Sequence, residues 1–358
     1  MSRPHTGRSR RQFLTSVAAL GAGTFLPSTG LPSTRLPSSL IAQTGPVAAG
    51  SGSGRIDVHS HVAPPGLVRA LGAQRLGGGL AAWTPEKSLE DMNGAGVSTS
   101  MISIAPAGNP FSDPATATRL THESNEYIAR LATDHPGRFG LFAAVPLPDI
   151  DASLLEIAYA LDTLKADGIA MFTSYGDRWL GDPAFNPVFE ELNRRRAVVY
   201  THPATASCCG NLLPDVGDGI IEWGTDTTRA IARFTFGGAA SRYPNVRLIF
   251  SHAGGTMPFL VERFVNMARS AQFAPRFPEG FLGVARKFYY DTAQTANPAA
   301  MSALSKVVPI SQIVFGTDFP FRNAAEHVKG LKECGVFTAT DLQAIDRRNV
   351  LTLLPRVG

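Results

Sequence analysis

Eight continuous apolar runs, separated by stretches with helical periodicity, restrict this chain to very few folds. They fall at 56–59, 98–105, 139–146, 168–173, 197–202, 246–252, 287–291 and 312–318. Several do not alternate at all, as in "AVVYTH" and "VRLIFSH". A strand that reads this way is buried on both faces, as in a parallel sheet covered by helices. The segments 114–134, 151–166, 185–195 and 225–241 place apolar residues at helical spacing, with Asp151 and Asp226 as expected N-caps. Pro85 is expected in the first turn of a helix running through Ser88, Leu89 and Met92. Eight strand–helix units of this kind predict an α/β fold, a (β/α)8 barrel spanning 55–358. The alternative is an open doubly wound sheet, which needs a glycine-rich phosphate turn after its first strand. "DVHSHVAPPG" has none.

Residues 1–54 differ in kind from the rest. Arg10 and Arg11 precede Gln12, Phe13 and Leu14, and an apolar run from 13 to 26 follows. That run is shorter than the roughly 20 residues a bilayer span needs. Small residues at Val47, Ala48 and Ala49 and a Pro/Ser/Gly-rich stretch over 27–54 complete the pattern of a cleaved export signal and linker. The paired arginines resemble a twin-arginine leader, which predicts a periplasmic protein with no stable membrane insertion once the leader is removed. The leader also explains the net charge of +4, because it holds five arginines and no acidic residue. The remainder has 28 Lys and Arg against 29 Asp and Glu, a balance that argues against nucleic acid as a partner. Three cysteines, Cys208, Cys209 and Cys334, form neither a disulfide framework nor a CxxC zinc pattern.

The polar residues that close the apolar runs are the informative ones. His59 and His61 end the first run, His202 the fifth, His252 the sixth and Asp318 the eighth. Residues two apart on a strand share a face, and C-terminal strand ends of a barrel share one rim. Imidazole nitrogens and a carboxylate oxygen gathered there suit one borderline divalent ion, Zn2+ first and Mn2+ second. One assignment makes His59, His61, His202 and Asp318 the ligands and His252 the proton carrier. The other lets His252 ligate and Asp318 act as the base. Asp57 alternates onto the face of His59, where it either orients that ligand or meets backbone amides. Asp226 caps a helix or reaches His252 or substrate. His122, His135 and His327 lie on or beside helices and read as surface or capping groups.

"IDVHSH", "VVYTHP", "IFSHAGG" and "IVFGTDFPF", in this order, resemble the amidohydrolase superfamily. More narrowly, they resemble its branch around α-amino-β-carboxymuconate-ε-semialdehyde decarboxylase. The resemblance implies a distorted barrel, one divalent metal at the C-terminal strand ends and nonhydrolytic C–C cleavage. It places the ligands on His59, His61, His202 and Asp318, with His252 as the catalytic histidine beside Asp318. Binuclear members carry a bridging lysine or glutamate at the end of the fourth strand. Thr173 and Ser174 stand there, so one metal is expected.

The segments after the fourth and fifth strands are similar to 6-methylsalicylate decarboxylases within this branch. That similarity implies a small aromatic or related unsaturated carboxylic acid as substrate. Trp179, Phe319 and Phe321 follow strand ends and are candidates to sandwich an aromatic ring. Arg178 leads the candidates for holding the substrate acid, ahead of Arg69, Arg75 and Arg119. A lactone or amide hydrolase on the same barrel is the runner-up, and an exported binding protein without activity comes third. Homodimers are common in the branch and are expected here.

Overall fold

The computed structural model describes residues 54–104 and 113–357. The leader and linker expected at 1–54 fall, but for Gly54, outside these residues. Eight parallel strands form one sheet: β1 (Arg55–Val62), β2 (Val97–Ile104), β3 (Phe139–Ala144), β4 (Gly168–Phe172), β7 (Val198–His202), β8 (Arg247–Phe250), β9 (Tyr289–Asp291) and β10 (Ile313–Val314). A small antiparallel hairpin, β5 (Ser174–Tyr175) with β6 (Arg178–Trp179), is inserted after β4. The sheet order follows the chain, and helices fill the connections.

The segment after β10 closes the ring against β1. Val58 N–H donates to Phe315 O at 2.9 Å, Asp318 N–H to His59 O at 2.8 Å, and His61 N–H to Phe319 O at 2.7 Å. Phe319 also bridges Ser60 in parallel register, so its backbone belongs to the barrel seam. The interior is filled by Ile56, Val58, Met101, Phe142, Ala170, Val198, Tyr200, Ile249 and Val314, and Val350 and Leu353 from the C-terminal helix join them. Filling by layers of strand side chains is what makes such a barrel a core and not a pore.

The expected elements are present with shifted ends. The helix Ile150–Asp162 is capped by Asp149, whose carboxylate accepts from Ala152 N–H; Asp151 lies inside its first turn. Asp226 is not a cap either, because its helix begins at Glu222 and runs to Phe236. Pro85 opens the helix Pro85–Ala95 behind the capping hydroxyl of Thr84. His252 and Asp318 lie past the last residues of β8 and β10, in left-handed backbone with φ of 52° and 74°. Such φ values are unusual for residues with a Cβ and cluster at functional sites. Among the described residues no helix is long and apolar enough to cross a membrane.

Candidate metal centre

The two histidines of β1 reach the rim through an irregularity. The β1–β2 register slips between Asp57 and Ser60, and bulges of this kind re-aim side chains. Val58 packs in the barrel interior, and its neighbour His59 also faces inward, with its ring 5.3 Å from that of Tyr200. His59 Nε2 lies 3.1 Å from His61 Nε2, and Asp318 Oδ1 is 3.1 Å from the first and 3.0 Å from the second. The His202 ring sits 4.7 Å from that of His61 and 5.3 Å from that of His59. His252 Nε2 approaches Asp318 on its other oxygen, Oδ2, at 3.3 Å. The sequence-derived set therefore meets in one place.

The donor atoms identify what such a place can hold. His59 Nδ1 donates to Asp291 Oδ2 at 2.8 Å, and His202 Nδ1 donates to Pro203 O at 2.9 Å. Each bond fixes its ring's tautomer and leaves a lone pair on Nε2. His202 Nε2 is buried without a partner. Lone pairs on His59 and His202, with a carboxylate among them, can be reconciled only by a positive charge. The protein's own charges point the same way. Burial alone would lower His59, yet Asp291 and Asp318 outweigh it and push the ring up to about 10. Burial would raise Asp318, yet His59 and the hydrogen bonds from His252, His59 and His61 hold it well below the carboxylate range. Burial takes His202 well below the usual histidine value, so its ring stays neutral. A neutral His202 beside an ionised Asp318 is the form that binds a divalent ion, and His59 would give up its extra proton to such an ion.

Two four-residue sets are candidates. His59, His202, His252 and Asp318 offer ligand atoms within 4.8 Å of one another. The other puts His61 in place of His252, and its Nε2 lies 3.1 Å from His59 Nε2 and 3.0 Å from Asp318 Oδ1. The two sets differ in exposure. His61 is fully buried, whereas the His252 side chain remains 12% exposed and faces Oδ2, not Oδ1.

The supporting residues were mostly unread in the sequence. Asp291 is fully buried and binds the His59 ring through Oδ2, while Oδ1 accepts from the backbone N–H of His252 at 2.9 Å. It ends β9, and a carboxylate at that strand end was the available signal. Gly316 makes this approach possible, since a Cβ there would lie 2.9 Å from His59 Cβ and 3.0 Å from Asp291 Cβ. Gln294 donates to Asp318 Oδ2 at 3.2 Å. Asp57 works through the backbone: it accepts from His59 N–H at 2.9 Å, from Thr317 N–H at 3.1 Å and from Thr317 Oγ1 at 2.6 Å. It thus ties β1 to the residue before Asp318, while burial pushes its own carboxyl up to about 7 against those bonds.

The substrate-facing expectations fare differently. Trp179 donates its indole N–H to the buried Asp226, and Arg229 stands 5.8 Å over its ring. Asp226 also accepts from Thr173 Oγ1 and from Ser174 Oγ, so it anchors the hairpin and reaches neither His252 nor a strand-end ligand. Phe319 lines a cavity with Gly79, Trp83 and Pro320. Arg178 is exposed on β6, where it pairs with Tyr175 across the hairpin, and its side chain makes no hydrogen bond or ion pair among the described residues. Arg119 pairs with Glu123 at 2.9 Å. The aromatic rings that flank the ligands are Trp223, 5.9 Å from His202, Phe172, 6.5 Å from His202, and Phe321, 5.9 Å from His61. His327, expected at the surface, is fully buried; it bonds Thr292 Oγ1 at 3.0 Å, and burial takes it down to about 3. A neutral ring costs less to bury than a charged one, which lets it serve as structure between β9 and β10.

A family profile described as amidohydrolase matches residues 56–353, which is nearly all of the described chain. The chain belongs to the amidohydrolase family. This amidohydrolase is 37% identical over 322 residues to decarboxylase yanB of Aspergillus niger, covering 84% of this chain and 88% of that protein. It is 34% identical over 322 residues to a 6-methylsalicylic acid decarboxylase of Penicillium expansum, covering 85% and 97%. In fold it is similar to a dihydroxybenzoic acid decarboxylase of a Polaromonas species solved with bound manganese and 2-nitroresorcinol. That match has a TM-score of 0.69 and 19% identity, covering 85% of this chain and 97% of the other.

Replacing Asp291 by asparagine tests the support for His59. The new amide would place a donor against Nδ1, which already carries the proton, and so work against the tautomer that binds metal. Metal affinity should fall by about 10–100-fold, measured by competition with a chelator, and excess metal should restore occupancy. Unchanged affinity would mean that Asp291 only braces the His252 backbone.

Proposed function

We propose that this amidohydrolase is a nonoxidative decarboxylase of a small aromatic, salicylate-like acid, dependent on one divalent ion, zinc or manganese. The observation that carries the reading is the placement of His252. It is the most exposed of the four rim histidines, and it rests on the outer oxygen of Asp318 while the inner oxygen faces His59 and His61. A partly exposed imidazole beside a buried ligand set is placed to hand a proton to a bound substrate. His59, His61, His202 and Asp318 would then hold the ion. When bound, the ion would supply a Lewis-acid anchor for the carboxylate and ortho-hydroxyl of the substrate.

The chain's own groups do the rest. Phe172, Trp223 and Phe321 offer flat apolar walls for an aromatic ring. His252 Nε2 delivers its proton to the ring carbon that bears the carboxylate. The C–C bond then breaks, its electron pair returns to the ring, and CO2 departs. A hydrolase would instead need a free base to activate water. Both oxygens of Asp318 are already engaged, Oδ1 by His59 and His61 and Oδ2 by His252 and Gln294. The decarboxylases at 34% and 37% identity support the same choice.

The test is to incubate metal-loaded protein in D2O with 6-methylsalicylate, with 2,6-dihydroxybenzoate and with an aryl lactone. CO2 should be released from the ortho-hydroxy acids, and the phenol formed should carry deuterium at the vacated carbon. Methylating the ortho-hydroxyl should stop turnover. Ring-opened acid from the lactone, without CO2 from either salicylate, would replace this reading with the hydrolase.

A further inference from the structure

Asp318 presents its two oxygens to different neighbours. Oδ1 lies among converging imidazoles, 3.1 Å from His59 Nε2 and 3.0 Å from His61 Nε2. Oδ2 lies 3.3 Å from His252 Nε2 and accepts a hydrogen bond from the side-chain amide of Gln294 at 3.2 Å. Gln294 belongs to the turn after β9, three positions beyond Asp291, and its backbone is left-handed with φ of 58°. Glycine adopts that conformation freely, whereas a residue with a Cβ is strained in it. A strained side-chain-bearing residue whose amide lands on the site carboxylate is the kind of outlier from which a role can be inferred.

We propose that Gln294 is a positioning residue that holds the outer oxygen of Asp318 and so keeps its inner oxygen turned toward His59 and His61. The inference rests on the decarboxylase reading above and adds a component to it. Oδ2 has two polar side-chain neighbours, the His252 ring at 3.3 Å and the Gln294 amide at 3.2 Å. Oδ1 meets the imidazoles of His59 and His61. A carboxylate released at Oδ2 could rotate and bring its second oxygen to the imidazole side, and the Gln294 amide opposes that rotation without drawing on His252. A hydrogen bond to an ionised carboxylate is among the stronger ones available to an uncharged side chain. His252 is thereby left to serve the substrate alone, since it is not needed to hold Asp318 in place.

Three variants of the full chain test this. Gln294→Leu removes the donor at similar volume, Gln294→Glu sets a like charge against Asp318, and Gln294→Gly removes the donor while relaxing the backbone. The leucine and glycine variants should lose on the order of tenfold or more in kcat, the loss expected for one hydrogen bond to a charged group, with KM little changed. The glutamate variant should lose more. Metal content of the leucine and glycine variants should stay at that of the parent, and their cobalt-substituted forms should show an altered visible spectrum as the carboxylate turns. Gln294→Gly guards against misfolding, because relief of the left-handed strain should leave its melting temperature no lower than the parent's. Unchanged kcat and an unchanged cobalt spectrum in both uncharged variants would overturn the proposal. So would a fall in kcat with an unchanged spectrum, which would move Gln294 from Asp318 to the substrate. If the parent takes up cobalt yet releases no CO2 from any ortho-hydroxy acid, the decarboxylase reading fails and the cobalt comparison still judges Gln294.

Discussion

Replacing His252 by alanine should lower kcat by about 10²–10⁴-fold, the usual range for a removed general acid, while the protein keeps its metal. The geometry separates the two effects. The His252 backbone is held independently of its ring, through its N–H on Asp291 Oδ1 at 2.9 Å. Truncation at Cβ therefore leaves the left-handed turn held by the same backbone bond. Among the described residues the ring's polar contact is with the outer oxygen of Asp318, and it meets the rings of His59 and His202 edge-on, so His59, His61, His202 and the inner oxygen keep their hydrogen bonds. Turnover, metal content by elemental analysis and deuterium incorporation into the product together check the expectation. The decisive alternative is already visible in the alternative ligand set that includes His252. If His252→Ala emptied the site and His61→Ala did not, His252 would be the ligand and the roles of the two histidines would be exchanged.

How much of this was legible beforehand depended on whether a residue acts along its own strand or across the barrel. His59, His61 and His202 were readable because apolar runs locate strands, strand ends locate the rim, and imidazoles at three such ends rarely coincide by accident. Asp318 and His252 were readable for the same reason, although both lie beyond their strands in left-handed backbone that no periodicity announces. Asp291 was missed in its role because "FYYD" reads as any strand with a polar end, and its partner His59 is 232 positions away. Asp226 was misplaced for a different reason. Its helix starts at Glu222 without a side-chain cap, so the first capping residue in the run was taken for the start. The indole of Trp179 was a candidate for substrate because it follows a strand end, whereas its N–H donates to the buried carboxylate of Asp226. Contacts between residues distant in sequence decide these cases, and one sequence does not encode them in a local pattern.

Replacing His202 by alanine should abolish both metal binding and turnover, and no excess of metal should restore either. Three features separate this variant from Asp291→Asn. On the proposed reading His202 would supply a ligand atom directly, its Nε2 has no partner among the described residues, and its Nδ1 is already committed to Pro203 O. Phe172 and Trp223, the rings on its outer side, offer no lone pair to a cation in its place. The loss can be read without any substrate, through stability. A ligand that binds only the folded chain stabilises it by about 4 kcal/mol at a thousandfold excess over its Kd. The parent protein should therefore melt at a clearly higher temperature with metal than after chelation, and the His202→Ala protein should melt at one temperature in both conditions. The apo His202→Ala protein should melt at or below the apo parent, since it loses the bond to Pro203 O and the packing of the ring, so the comparison is made within each protein, with and without metal. A metal-dependent rise in the melting temperature of His202→Ala would show that the ion is held elsewhere. The shared rim of β1, β7 and the turn before Phe319 would then have to be explained by the proton on His59 alone.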